Sequence, residues 1–149
     1  MEISELIKKH LAESRMMQIA TSDNRQPWIC TVYYVEDDKQ NLYWLSLPTR
    51  RHSQEIASSS KIAVAIPVKF DKNPIIGIQA EGLAEVINVP AIVAEIMQKY
   101  TEKYESGKDF YDNFLAGKNQ HLLYKFTPSK YVLFDEVSFP ENTRKEWNL

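Results

Sequence analysis

The chain has 149 residues, 44% hydrophobic and 26% charged, ordinary proportions for one soluble globular domain of 17.3 kDa over residues 1–149. Its 18 basic and 20 acidic residues leave a formal net charge of −2, which excludes the broad basic field of a general nucleic-acid binder. A single cysteine, Cys30, excludes an internal disulfide, a CxxC redox pair and a thiolate zinc cage, and a reducing cytoplasm is the expected compartment.

The first segment, MEISELIKKHLAES, has acids from the start and no apolar core region, so a signal peptide is not expected. No apolar run approaches the ~18 residues of a membrane span. Ile3, Leu6, Ile7 and Leu11 instead mark one face of a helix, with His10 at the edge of the stripe as a packing histidine. Met17, Ile19 and Thr21 predict a short strand, and Asp23–Gln26 a turn. Pro27 opens a longer strand over 28–36, rich in aromatic and β-branched residues. Both of its faces are apolar, so both should be covered, one by a ligand or a second subunit.

Asp37–Asn41 reads as a hairpin turn and Leu42–Leu47 as the next strand. Pro48-Thr49-Arg50-Arg51 leads into a short helix near 53–58, followed by a strand over 61–68. Residues 75–88 predict a long strand, bent or bulged near Gly82. Pro90 suits the first turn of a helix whose apolar stripe includes Ile92, Ile96, Met97, Tyr100 and Tyr104. A short aromatic helix follows, and 121–126 with 130–137 predict a closing hairpin through Thr127-Pro128-Ser129. The order α-β-β-β-α-β-β-α-β-β, with short connections, predicts a small closed antiparallel barrel with helices at its ends. A parallel α/β sheet fits poorly, because most connections are too short for crossovers.

Glycine is confined to positions 77, 82, 107 and 117, so neither a GxGxxG turn nor a Walker loop can form; GxSxG and HExxH are also absent. A phosphate would have to be held by side chains and a helix start. Thr49-Arg50-Arg51-His52-Ser53 offers two guanidiniums, an imidazole and two hydroxyls just before a helix, which is either such a clamp or a solvated basic turn capped by Ser53. The strand 28–34 with Tyr43-Trp44-Leu45-Ser46 offers either an apolar wall for a flat heterocycle or aromatic core filling. Cys30 fits a small buried hydrophobe better than a nucleophile. Gln79 interrupts an apolar strand and needs polar partners. His121 lacks ligand-spaced companions, and the aromatics between 100 and 114 suit core or interface.

Taken in this order, Pro27-Trp28-Ile29-Cys30-Thr31, Asp37-Asp38, Leu42–Ser46, Thr49-Arg50-Arg51-His52, Gln79-Ala80-Glu81-Gly82 and Phe126–Tyr131 resemble the flavin-binding split-barrel family related to pyridoxamine 5′-phosphate oxidase. The resemblance covers residues 1 to about 140. It implies a mainly β, α+β fold: a six-stranded antiparallel split β-barrel with flanking helices. It implies FMN as cofactor and a homodimer with the flavin at the subunit interface. By position, Arg51 and His52 would hold the FMN phosphate, helped by Thr49 or Arg50 and by Ser46. Cys30 and Thr31 would meet the ring edge through their backbone, Leu45 would line the same site, and Gln79 would reach the ring or ribityl chain. Trp147 would cover the partner's flavin.

The family's second-strand arginine stands here as Cys30, a family lysine as His52, and its C-terminal Arg-x-His pattern is absent. Vitamin B6 oxidation is therefore not the expected reaction. The expected function is a flavin-dependent oxidoreductase acting on a small molecule. The competing readings are a non-catalytic flavin- or haem-binding protein on the same fold, and a ligand-free interaction module.

Overall fold

The computed structural model describes all 149 residues, Met1–Leu149. Helix α1 (Ile3–Glu13) precedes β1 (Met16–Thr21), β2 (Trp28–Tyr33), β3 (Val35–Glu36) and β4 (Leu42–Ser46). Then come α2 (Arg51–Ser58), β5 (Lys61–Lys69), β6 (Ile76–Ile87), α3 (Pro90–Tyr104), α4 (Lys108–Leu115), β7 (Leu122–Asp135) and β8 (Arg144–Asn148). All strand pairs are antiparallel. The hydrogen-bonded path is β2-β1-β5-β6-β7-β4-β3, with β8 alongside β7. The sheet curls into a split half-barrel, and the α+β class stands. The path has seven strands, not six, with β8 beside it.

Three local causes change the strand count. The apolar run over 28–36 divides at Tyr34, so that β2 and β3 lie at opposite ends of the path. The hairpin expected at 127–129 does not form, and β7 runs unbroken for 14 residues. One edge of β7 serves β4 over Leu122–Phe126 and β8 over Lys130–Phe134, while its other edge follows β6. Finally, the tail forms strand β8, in which Lys145 and Trp147 alternate with exposed neighbours.

The bulge expected at Gly82 is present. Glu81 faces Lys130 and Gly82 faces Pro128, so Ser129 has no opposite residue. A Cβ at Gly82 would lie 2.1 Å from the Thr127 carbonyl oxygen and 2.8 Å from Pro128 Cα. Only glycine permits this backbone approach, and it lets a proline stay within a continuous strand.

Inward-facing residues of each strand form one core, which α1 plugs with Leu6, Ile7 and Leu11. Ile7 and Leu11 are fully buried, each contributing about 1.5–3 kcal/mol of apolar transfer. A second cluster, Val35, Tyr43, Ile96, Met97 and Leu123, packs α3 against the outside of the sheet, flanked by Tyr100, Phe110, Tyr111 and Phe114. The expectation that these aromatics are packing groups is met.

At the division of the strand, Tyr34 is wholly buried and its hydroxyl donates to the Leu11 carbonyl at 2.6 Å. Its N–H is shared between the Arg15 carbonyl and the Tyr104 hydroxyl, each at 3.1 Å. That hydroxyl also contacts the carbonyls of Arg15 (2.8 Å) and Tyr34. Lys103 adds an ion pair to Glu36 at 2.8 Å and lies 4.3 Å from the Tyr34 ring centroid. The last turn of α3 thus supplies the polar partners that the interrupted sheet lacks.

Replacing Tyr104 by Phe keeps the ring and removes this bridge. It is expected to cost about 1–2 kcal/mol and lower the melting temperature by a few degrees, as measured by calorimetry. Gly82→Ala is expected to cost about 3 kcal/mol, because backbone rather than a flexible side chain must move.

Candidate functional site

The interruption at Tyr34 leaves two strand edges unpaired. Strand β2 hydrogen-bonds only to β1. Strand β4 pairs with β7 throughout but with β3 only at Leu42 and Tyr43. The two strands approach each other without a ladder. Backbone groups along Trp28–Tyr33 and Trp44–Ser46 therefore lie along an unpaired gap between β2 and β4, the slot of the split wall. The Tyr34 crossing closes one end of the slot.

Helix α2 closes the other end. Toward β4, Ser46 Oγ and His52 Nε2 are 2.8 Å apart, and Ser53 donates to the Leu47 carbonyl at 2.8 Å. Toward β2, the Arg51 guanidinium lies 4.2 Å from the Trp28 ring centroid and donates to the Gln26 carbonyl at 3.3 Å. The cap residue Arg50 gives no side-chain bond. The first N–H groups of α2 are left to outside partners, at the positive end of its dipole.

Cys30, Thr31, Leu45, Ser46, Thr49, Arg50, Arg51 and His52 thus gather around the slot. Their states differ from a simple clamp. Cys30 points inward, and burial raises its thiol pKa, which suits the small hydrophobe expected of it. Thr31 is exposed on the outer face. The Leu45 side chain packs toward α3, so its backbone is what borders the slot. Thr49 and Arg50 are exposed.

Arg51 and His52 are not the free cationic pair that the sequence suggests. Arg51 Nε donates to Glu55 Oε2 at 2.8 Å, and Thr21 donates to the other oxygen of that carboxylate at 2.7 Å. Hydrogen bonds from Arg51 and Thr21 hold the Glu55 pKa below its ordinary value. His52 is buried against Ser46. Burial lowers its pKa, and the positive charge of Arg50 adds to the effect, opposed by Glu55. A histidine with a lowered pKa is neutral at pH 7. The i, i+4 spacing of Arg51 and Glu55 was the one sequence signal for this pairing.

Gln79 and Trp147 lie elsewhere. The register Thr31–Gln18–Ala65–Gln79 crosses three strand spacings, about 14 Å, on the outer face. A groove of 360 Å³ lies on this face, floored by Ala63, Ala65 and Val132 and edged by Gln18, Gln79 and Arg144. Trp147 faces inward on β8. Its ring stacks on Tyr131 of the same chain, with centroids 6.0 Å apart and planes at 21°. It is partly buried and packs against the core from β8.

A family model described as pyridoxamine 5′-phosphate oxidase matches residues 3–132. No curated protein sequence matches the chain. Among solved structures, a conserved hypothetical protein from Mycobacterium tuberculosis is 16% identical at TM-score 0.79, over 94% of this chain and 88% of that one. A heme binding protein from Mycobacterium smegmatis is 12% identical at TM-score 0.77, over 99% of this chain and 58% of that one. An FAD-binding protein from Mesorhizobium loti is 17% identical at TM-score 0.65, over 88% and 92%. At these identities the likeness is one of fold.

The state of His52 sets a pH dependence. Its folded pKa lies below the unfolded value of 6.5, so the unfolded chain binds more protons in acid. Its neutral form imposes no penalty above pH 6.5, and stability falls as pH drops below that value. In denaturant titrations, His52→Gln is expected to flatten the stability slope between pH 7 and pH 5, and an unchanged slope would contradict the burial-driven shift.

Proposed function

From the premise that the chain belongs to the pyridoxamine 5′-phosphate oxidase family, we propose that it binds FMN in the slot and acts as a flavin-dependent oxidoreductase on a small molecule. The observation that carries this reading is the slot itself: two unpaired strand edges facing one opening, with a helix start at its end. The edge of an isoalloxazine ring carries alternating donors and acceptors, which free backbone N–H and C=O groups complement. The backbone of Cys30 and Thr31 orients the ring edge, and Leu45 and Ser46 border it from β4. Thr49, Arg50 and the first N–H groups of α2 face the phosphate. The bound flavin supplies hydride or electron transfer, while the protein supplies orientation and shelter. The protonated Cys30 thiol and the engaged His52 ring add no acid or base, which suits chemistry led by the cofactor.

The haem alternative has a relative of the same fold in its favour. The histidines of this chain favour flavin. His10 is buried in the core, His52 is bonded to Ser46, and His121 stands exposed before β7, 2.8 Å from Asn119. None of them lines the outer groove.

A homodimer is part of the same reading. The outer face of β1, β5 and β6 combines small residues with Gln18, Gln79 and Glu81 and is flanked by exposed Ile29, Leu83 and Phe134. A second copy packed there would cover this face and bring its Gln79 toward a shared site.

Purified protein is expected to show the two visible flavin bands and to release FMN by mass spectrometry. Excess FMN should raise the melting temperature of stripped protein by roughly 5–10 °C, and Arg50→Glu should lose a small part of that gain. Reduction of the bound flavin by a nicotinamide donor, with reoxidation by an acceptor, tests turnover. Colourless protein that takes up no FMN overturns the reading, and a haem Soret band would favour the alternative. Ala65→Arg is expected to convert a dimer to a monomer in light scattering.

A further inference from the structure

Beside Arg51, helix α2 already carries an anion. Glu55 is buried, and its carboxylate is held on one oxygen by Thr21 at 2.7 Å and on the other by Arg51 Nε at 2.8 Å. The remaining freedom of Arg51 is reduced by its bond to the Gln26 carbonyl and by the Trp28 ring beneath it. His52, the neighbouring residue, is turned inward to Ser46. Of the cationic side chains that could meet a phosphate, His52 is thus turned inward, and Arg51 is paired through Nε while part of its guanidinium stays exposed. Thr49 and Arg50 are exposed as well, and the first N–H groups of α2 lie open beside them.

We propose that Glu55 is a built-in counter-ion that withholds Arg51 from the ligand's phosphate, so that the site accepts flavin through its ring and chain and takes riboflavin nearly as well as FMN. This inference rests on the flavin reading of the slot. An incoming phosphate must compete with a carboxylate that Thr21 and the protein interior hold in place. Turning Arg51 fully from Glu55 to a phosphate would leave that carboxylate with the Thr21 hydroxyl alone. The exposed Arg50 contributes a screened, flexible contact that gives a modest preference. Glu55 is thereby a specificity-determining residue although it touches no ligand.

Binding of FMN and riboflavin is measured by quenching of flavin fluorescence, on wild type, Glu55→Gln and Arg51→Gln. The wild type is expected to bind the two flavins within about tenfold of each other, and Arg51→Gln to leave that ratio unchanged. Glu55→Gln keeps the bond to Thr21 and frees Arg51, so it should tighten FMN at least about tenfold relative to riboflavin. A thermal-shift arm with inorganic phosphate should stabilise Glu55→Gln but not the wild type. A wild-type preference for FMN of about a hundredfold, abolished by Arg51→Gln, overturns the proposal and leaves flavin binding intact. If no variant binds either flavin, the flavin reading fails, and the phosphate arm still decides whether Glu55 withholds Arg51. Should Glu55→Gln fold poorly, the comparison of wild type with Arg51→Gln decides alone.

Discussion

Tyr34 is the point where a single strand becomes two sheet edges, and most of the molecule is arranged around it. To the N-terminal side the chain pairs with β1; two residues later it pairs with β4 on the opposite flank of the barrel. No sheet ladder can satisfy the backbone at such a crossing. The phenol of Tyr104 and the carbonyl of Arg15 do so instead, while the Leu11 carbonyl holds the Tyr34 hydroxyl. The helices α1 and α3 are thus fixed by the same event that opens the slot. A barrel closed by an ordinary ladder between β2 and β4 would have no opening there.

The other end of the slot depends on charge pairing rather than on a backbone crossing. Helix α2 spans the gap by bonding to both banks, through His52 and Ser53 on one side and Arg51 on the other. Its polar groups are arranged as a nearly neutral unit: one carboxylate for one guanidinium, and an imidazole whose burial favours the uncharged form. The local basic charge suggested by Thr49–His52 is therefore largely cancelled by a residue four positions beyond Arg51. The outward positive character of this end comes from Arg50 and the exposed part of Arg51.

Much of this was legible in the sequence. The amphipathic stripe of α1, the bulge at Gly82 and the order of elements followed from periodicity and from the two strongest backbone markers, glycine and proline. The grouping of residues 30–31, 45–46 and 49–52 around one opening followed from the resemblance. The unbroken β7 was not legible, because a Pro between Thr and Ser is a turn signal unless a glycine on the neighbouring strand lets the backbone close up. Strand β8 carries only a weak alternation around Trp147, with no β-branched residue in RKEWN. The division at Tyr34 is a long-range effect: within the strand, a buried tyrosine looks like any other core residue.

The open edge of β2 has a consequence for the isolated chain. WICTVY is six residues without charge, proline or glycine, and its N–H and C=O groups on one side have no partner in the fold. Such an edge is a template on which another copy can add as a strand. Pro27 at its start and Glu36 just beyond its end act as gatekeepers, and the slot walls limit approach from the β4 side. The open edge that defines the slot is therefore also the place where the protein is most exposed to edge-to-edge aggregation, and an occupant of the slot would shield it.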